Sequence, residues 1–129
     1  MSIACGENEF QIYGFKRLFD ANAVDFAMPD IGRAGGIQET KNICALANAY
    51  GVPVSPHNFS SGVLMAATIH LLASTPNADL LEIDTSGNAV YEELLTSPLK
   101  YEDGFVKIPD HPGLGVELTK ETLKKYVLR

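Results

Sequence analysis

Glu7, Asp30, His57 and Glu82 are the residues of this 129-residue chain whose types and spacing could do chemistry. Each closes a short apolar run (2–5, 24–28, 52–55 and 80–81), and the steps from 7 to 30, 30 to 57 and 57 to 82 are 23, 27 and 25 residues. An imidazole exchanges protons near neutral pH, and a neighbouring carboxylate can accept its ring N–H and fix the tautomer. Adjacent parallel strand ends lie only about 5 Å apart. Asp30 and His57 on such ends would make a general acid or base, whereas a lone histidine after a proline is more often a structural hydrogen-bonding group. Glu7 or Glu82 could ligate Mg²⁺, a weak site unless other carboxylates join it. The alternative for both is a solvated strand end. Arg33 either reaches over the pocket to a substrate carboxylate or is an ordinary surface arginine on a loop.

The elements that must position these residues alternate between strand and helix. The apolar runs 2–5, 24–28, 52–55 and 80–83 read as buried strands. Between them the spacing predicts a helix over 9–21 with Phe15, Leu18 and Phe19 as its buried stripe, and one over 37–50 carrying Ile43, Leu46, Ala47 and Tyr50, stopped at Gly51. Gly35 and Gly36 precede the second helix. They could cradle an anion at its N-terminus, but without a GxGxxG or Walker pattern a tight strand-to-helix turn is the favoured reading. Ser60 or Ser61 caps a strongly apolar helix to 73, and a shorter helix spans 89–95. The rhythm then stops. Asp103-Gly104 between alternating runs signals a hairpin over 99–108. After a rigid loop over 109–115, Thr119 starts a last helix with Leu123, Tyr126 and Val127 inward and Lys124, Lys125 and Arg129 at its cation-favouring end. The class is α/β, about four βα units plus a C-terminal hairpin and helix. A (β/α)8 barrel uses roughly 250 residues and carries its chemistry at the C-terminal strand ends, so this length is about half a barrel. No flexible linker interrupts the chain, which reads as one folded unit. Its opening directly on a strand suggests that something upstream is missing.

Composition excludes several classes of function. A net charge of −6 with scattered lysines argues against a nucleic-acid partner. No apolar run reaches about 18 residues and no basic leader precedes the first strand, so a cytoplasmic chain without membrane contact is expected. Cys5 and Cys44 show no disulfide or zinc spacing and read as buried thiols in a reducing compartment. His70 reads as a core or interface histidine, His111 belongs to the rigid loop, and Met28 and Met65 fill core space.

Gly6-Glu7-Asn8, the stretch Met28-Pro29-Asp30 through Gly35-Gly36-Ile37, Ser55-Pro56-His57, Leu81-Glu82-Ile83-Asp84 and the tail from Asp103-Gly104 to Gly113-Leu114-Gly115 resemble the enolase superfamily, mandelate racemase subgroup. The resemblance runs over nearly the whole chain and is to the C-terminal half of a TIM-type barrel. It implies one domain over 1–129, containing strands five to eight and the C-terminal tail, without the N-terminal capping domain. It implies that Glu7 is the third carboxylate ligand of an essential Mg²⁺ and that Asp30 and His57 are an acid/base dyad. Glu82 would hydrogen-bond the substrate carboxylate as it becomes an enediolate. The variant motifs look most like acid-sugar dehydratases, which abstract the proton α to a carboxylate; racemases share that step. The family's other two metal carboxylates and its lysine bases have no counterpart, so little or no activity is expected of the chain alone. An open half barrel exposes sheet edges, and self-association, as a homo-oligomer or with the missing N-terminal half, is expected. The alternative function is a non-catalytic, self-associating half-barrel module.

Overall fold

The computed structural model describes residues 1–94 and 99–127. The expected helix end at Leu95 and the terminal cation Arg129 lie outside the described residues. Contacts divide the chain into two compact units, Met1–His57 with Leu71–Glu82, and Asn58–His70 with Ile83–Arg129.

The first unit is built on a parallel array in sequence order. β1 (Ala4–Cys5) pairs with β2 (Phe26–Ala27) in the register Ala4 to Phe26 and Cys5 to Ala27. Ala27 pairs in parallel with Val54, and Val54 with Ala78. The ladders are shorter than the apolar runs suggested. Pro53 and Pro56 have no N–H, so 52–55 pairs through the N–H groups of Val54, to Asn77 O at 2.9 Å, and Ser55, to Ala27 O at 2.9 Å. The strand expected over 80–83 does not form: the pairing residue is Ala78, and the Leu80 N–H goes to Ser55 Oγ at 3.2 Å.

Helices cover this array because their apolar residues recur at helical spacing. α1 (Gln11–Asp20) buries Phe15 and Phe19 and half-buries Leu18, as the periodicity predicts. It packs on α3 (Ile37–Ala49), whose buried residues include Ile43, Cys44 and Ala47, and the Phe19 ring lies 5.5 Å from that of Tyr50. Full burial of an aromatic such as Phe15 contributes on the order of 2–3 kcal/mol. No side chain at Phe10 caps α1; instead Glu39 Oε1, from the first turn of α3, accepts the Ile12 N–H at 2.7 Å. That long-range cap satisfies a helix-start donor that sequence patterns assign to a neighbour. The glycine-containing loop after Asp30 also differs from expectation, since it holds a short helix, α2 (Ile31–Ala34).

α4 (Gly62–Ala73) contributes residues 62–70 to the second unit and 71–73 to the first. Ser61 Oγ accepts the Leu64 N–H at 3.3 Å, and all residues from Leu64 through Ile69 are buried, in accord with the missing polar face. α5 (Ala89–Glu92) is capped by Asn88, whose Oδ1 accepts the Val90 N–H at 3.1 Å. β3 (Tyr101–Glu102) and β4 (Phe105–Val106) form the antiparallel hairpin, with Asp103 at φ 51° and Gly104 at φ 80° giving the turn its hand. Thr119 caps α6 (Lys120–Tyr126) through the Thr122 N–H at 2.9 Å. The inward stripe expected of α6 is absent: Leu123 is 42% and Val127 61% exposed. The helix is tied by polar contacts, since the Tyr126 hydroxyl and Lys125 Nζ both donate to Glu93 Oε2, at 2.8 and 2.5 Å. No described helix is long and apolar enough to cross a membrane.

Candidate active site

Asp30 and His57 meet because the ladder is in register. Ala27 is bridged to Val54, Asp30 lies three residues beyond the first and His57 three beyond the second, so equal offsets bring the two side chains to adjacent strand ends. Asp30 is in extended backbone (φ −95°, ψ 120°) after Pro29, and its Oδ1 accepts the Gly32 N–H at 2.7 Å, capping α2. That bond orients the carboxylate. Its other oxygen, Oδ2, lies 2.8 Å from His57 Nδ1, with the Asp30 side chain 1% and the His57 side chain 20% exposed. An ionised carboxylate is acceptor-only, so with Asp30 ionised Nδ1 carries the hydrogen in this pair.

The same register exposes a residue that sequence reading passed over. Cys5 pairs with Ala27, so Asn8 is three beyond its own ladder residue, level with Asp30 and His57. Asn8 Oδ1 accepts from Arg33 Nη1 at 2.8 Å, and its Nδ2 donates to Glu7 Oε1 at 3.3 Å. The Asn8 amide therefore links Glu7 to Arg33, which is exposed on α2. Gly6 sets the turn that carries them. Its φ is +134°, and a Cβ there would come 2.7 Å from Phe15 Cε1, so only glycine lets the chain cross the buried ring before Glu7. The signal for Asn8 was its position beside Glu7, but its amide has no charge to attract notice.

Glu82 is half-buried in the first unit, four residues beyond Ala78, on a segment outside the ladder. Glu7 is half-buried. Among the described residues no three of His, Cys, Asp and Glu cluster as ligands for a metal ion. Cys5 is half-buried rather than buried as expected; burial, aided by the Glu7 and Glu9 charges, pushes its thiol up and keeps it protonated. Cys44 is buried as expected, and burial raises its thiol as well. In the second unit, His70 is half-buried with Nε2 3.1 Å from Leu114 O, and His111 is exposed.

The Enolase C-terminal domain-like family matches residues 1–122. The D-xylonate dehydratase of Haloferax volcanii is 34% identical over 126 residues, which are 98% of this chain and 31% of that protein. The crystal structure of the 3,6-anhydro-D-galactonate cycloisomerase from Zobellia galactanivorans is 39% identical with a TM-score of 0.92, covering 100% of this chain and 36% of that one. An enolase structure from Agrobacterium radiobacter with bound Na and L-malate is 30% identical with a TM-score of 0.86, over 96% of this chain and 35% of its own. The chain thus spans about a third of the length of these relatives.

Proposed function

Because the chain belongs to the enolase C-terminal domain-like family, we propose that it is the dyad-bearing part of an acid-sugar dehydratase or a related isomerase. In this reading it supplies strands five to eight of a (β/α)8 barrel. The single observation that carries the chemistry is the 2.8 Å contact between buried Asp30 and His57. Held by Asp30 at Nδ1, His57 moves a proton at Nε2: in dehydration it returns one to the departing β-hydroxyl, and in isomerisation it takes or returns one at the carbon α to the carboxylate. Asp30 stabilises the imidazolium and holds its orientation. Glu82 would hydrogen-bond the substrate carboxylate as it becomes an enediolate, and Arg33, with N–H groups beyond the one given to Asn8, would pair with an acidic group of the sugar.

Magnesium is the expected cofactor by family resemblance, with Glu7 as its donor from this chain. One carboxylate does not hold that ion, so turnover by these 129 residues alone is expected to be low. The alternative is a non-catalytic half-barrel module.

The test is incubation of the purified chain with a panel of acid sugars and Mg²⁺, reading 2-keto acid and, in D₂O, deuterium uptake at the α carbon. Any turnover is expected to fall about 10²–10⁴-fold in His57→Asn. Turnover equal in both proteins would remove His57 from the reaction. Strong, metal-dependent turnover by the unmodified chain would reject the half-barrel module.

A further inference from the structure

Glu7 and Arg33 carry opposite charges on either side of one neutral amide. Asn8 Oδ1 accepts from Arg33 Nη1 at 2.8 Å, and Asn8 Nδ2 donates to Glu7 Oε1 at 3.3 Å. These two partners fix the amide's orientation, because a flip would set its NH₂ against the guanidinium and its oxygen against the carboxylate. Both ends of the linkage are anchored in backbone. The Glu9 N–H donates to Gly6 O at 2.9 Å and closes the turn with Glu7 and Asn8 at its corner. The Arg33 N–H donates to Asp30 O at 3.0 Å, in the short helix that the Asp30 carboxylate caps. Arg33 is thereby set by the same residue that holds His57.

Charge alone favours a different pairing. A guanidinium fork matches a carboxylate with two parallel N–H···O bonds, stronger than a bond to a neutral amide. Among the described residues, however, the ion pairs are Lys16–Asp20, Arg17–Glu9, His57–Asp30 and Lys125–Glu93, and Arg33 takes part in none. The amide occupies one guanidinium nitrogen and one Glu7 oxygen, which blocks the two-point pairing of these groups with each other. We propose that Asn8 is a positioning residue whose amide holds Arg33 off Glu7, so that the guanidinium stays open to the carboxylate of an acid sugar. The ligand then meets a cation already oriented and not neutralised by the protein's own carboxylate. This rests on the reading of Arg33 as the partner of an acidic group of the sugar, and adds the residue that keeps it free. Asn8 itself exchanges no proton and touches no reacting atom.

The test follows the Arg33 Nε–Hε signal by NMR in the 129-residue chain without added metal, with D-galactonate as the probe. Asn8→Ala is expected to move that signal before any ligand is added, as Arg33 turns to Glu7, and to weaken galactonate binding at least about fivefold. Adding Glu7→Gln to Asn8→Ala should return the signal and most of the affinity, a rescue that mere loosening of the turn would not give. Asn8→Asp keeps an acceptor for Arg33 but places a charge there, and should weaken binding at least as much. If Asn8→Ala loses its fold, read by circular dichroism, Asn8→Asp carries the test. Galactonate bound by it as tightly as by the unsubstituted chain would overturn the proposal. So would an Arg33 signal unmoved in a folded Asn8→Ala, or no recovery with Glu7→Gln. Galactonate that leaves the Arg33 signal in place in the unsubstituted chain is a separate failure: it removes Arg33 from sugar binding, and the proposal falls with that reading.

Discussion

Asp30 performs two tasks with two oxygens. Oδ1 caps α2 through Gly32, and Oδ2 holds His57. The tasks separate by substitution. Asp30→Asn keeps an oxygen for the cap and changes only the group facing the imidazole, which can accept from an amide by changing tautomer. Asp30→Ala loses both the cap and the contact with the imidazole. Asp30→Ala is expected to cost about 2–4 kcal/mol and Asp30→Asn about 1 kcal/mol less than that or better, measured by urea denaturation. Equal losses would mean that the cap contributes nothing. The pairing of Asp30 with His57 was legible in the sequence because both close apolar runs, each followed by a helical pattern. Asn8 was not, because its role comes from two hydrogen bonds, one of them to a side chain 25 residues away.

At the scale of elements, α6 shows what periodicity leaves open. Its cap at Thr119 was readable from the residue type, but its apolar positions meet no core, and Glu93 holds its last turn through Lys125 and Tyr126. The hydrogen bond from Lys125 holds the Glu93 carboxyl below its usual value, with the Tyr126 hydroxyl adding to it. A group depressed in the folded state stabilises above its unfolded pKa and loses that contribution as pH falls through its folded value. Amide exchange in α6 is therefore expected to quicken as pH falls below the ordinary glutamate range, after correction for intrinsic rates, and in Glu93→Gln this pH dependence should vanish. Persistence of the step in the variant would assign it to another carboxylate. The short ladder at 52–55 has an equally local cause: two prolines bracket the pairing residues.

The first unit as a whole ties its core to the candidate site through Phe15. The ring is 0% exposed, and a Cβ on Gly6 would strike it, so the aromatic that fills the core also supports the turn leading to Glu7. Phe15→Ala should cost about 3–5 kcal/mol by denaturant unfolding. Because the ring lies beneath that turn, the Glu7–Asn8–Arg33 linkage should loosen as well, seen as a shift of the Asn8 side-chain amide in an NMR spectrum. A destabilised protein with that amide unmoved would show that the core and the turn are independent.

Sequence alone determined the α/β alternation, the pairing of Asp30 with His57 at adjacent strand ends, the cap at Thr119 and the Asp-Gly hairpin, because each is a local preference of residue type and spacing; it left the cap of α4 open between Ser60 and Ser61, and the structure chose Ser61. It also carried the family motifs, which the match over residues 1–122 bears out. Tertiary structure decided the rest. Register brought Asp30 to His57, level with Asn8, and pairing selected Ala78 rather than the apolar residues at 80–83. Glu39 capped a helix 27 residues away. These outcomes depend on which backbone groups found partners across the fold, and an apolar pattern specifies burial without specifying the partner.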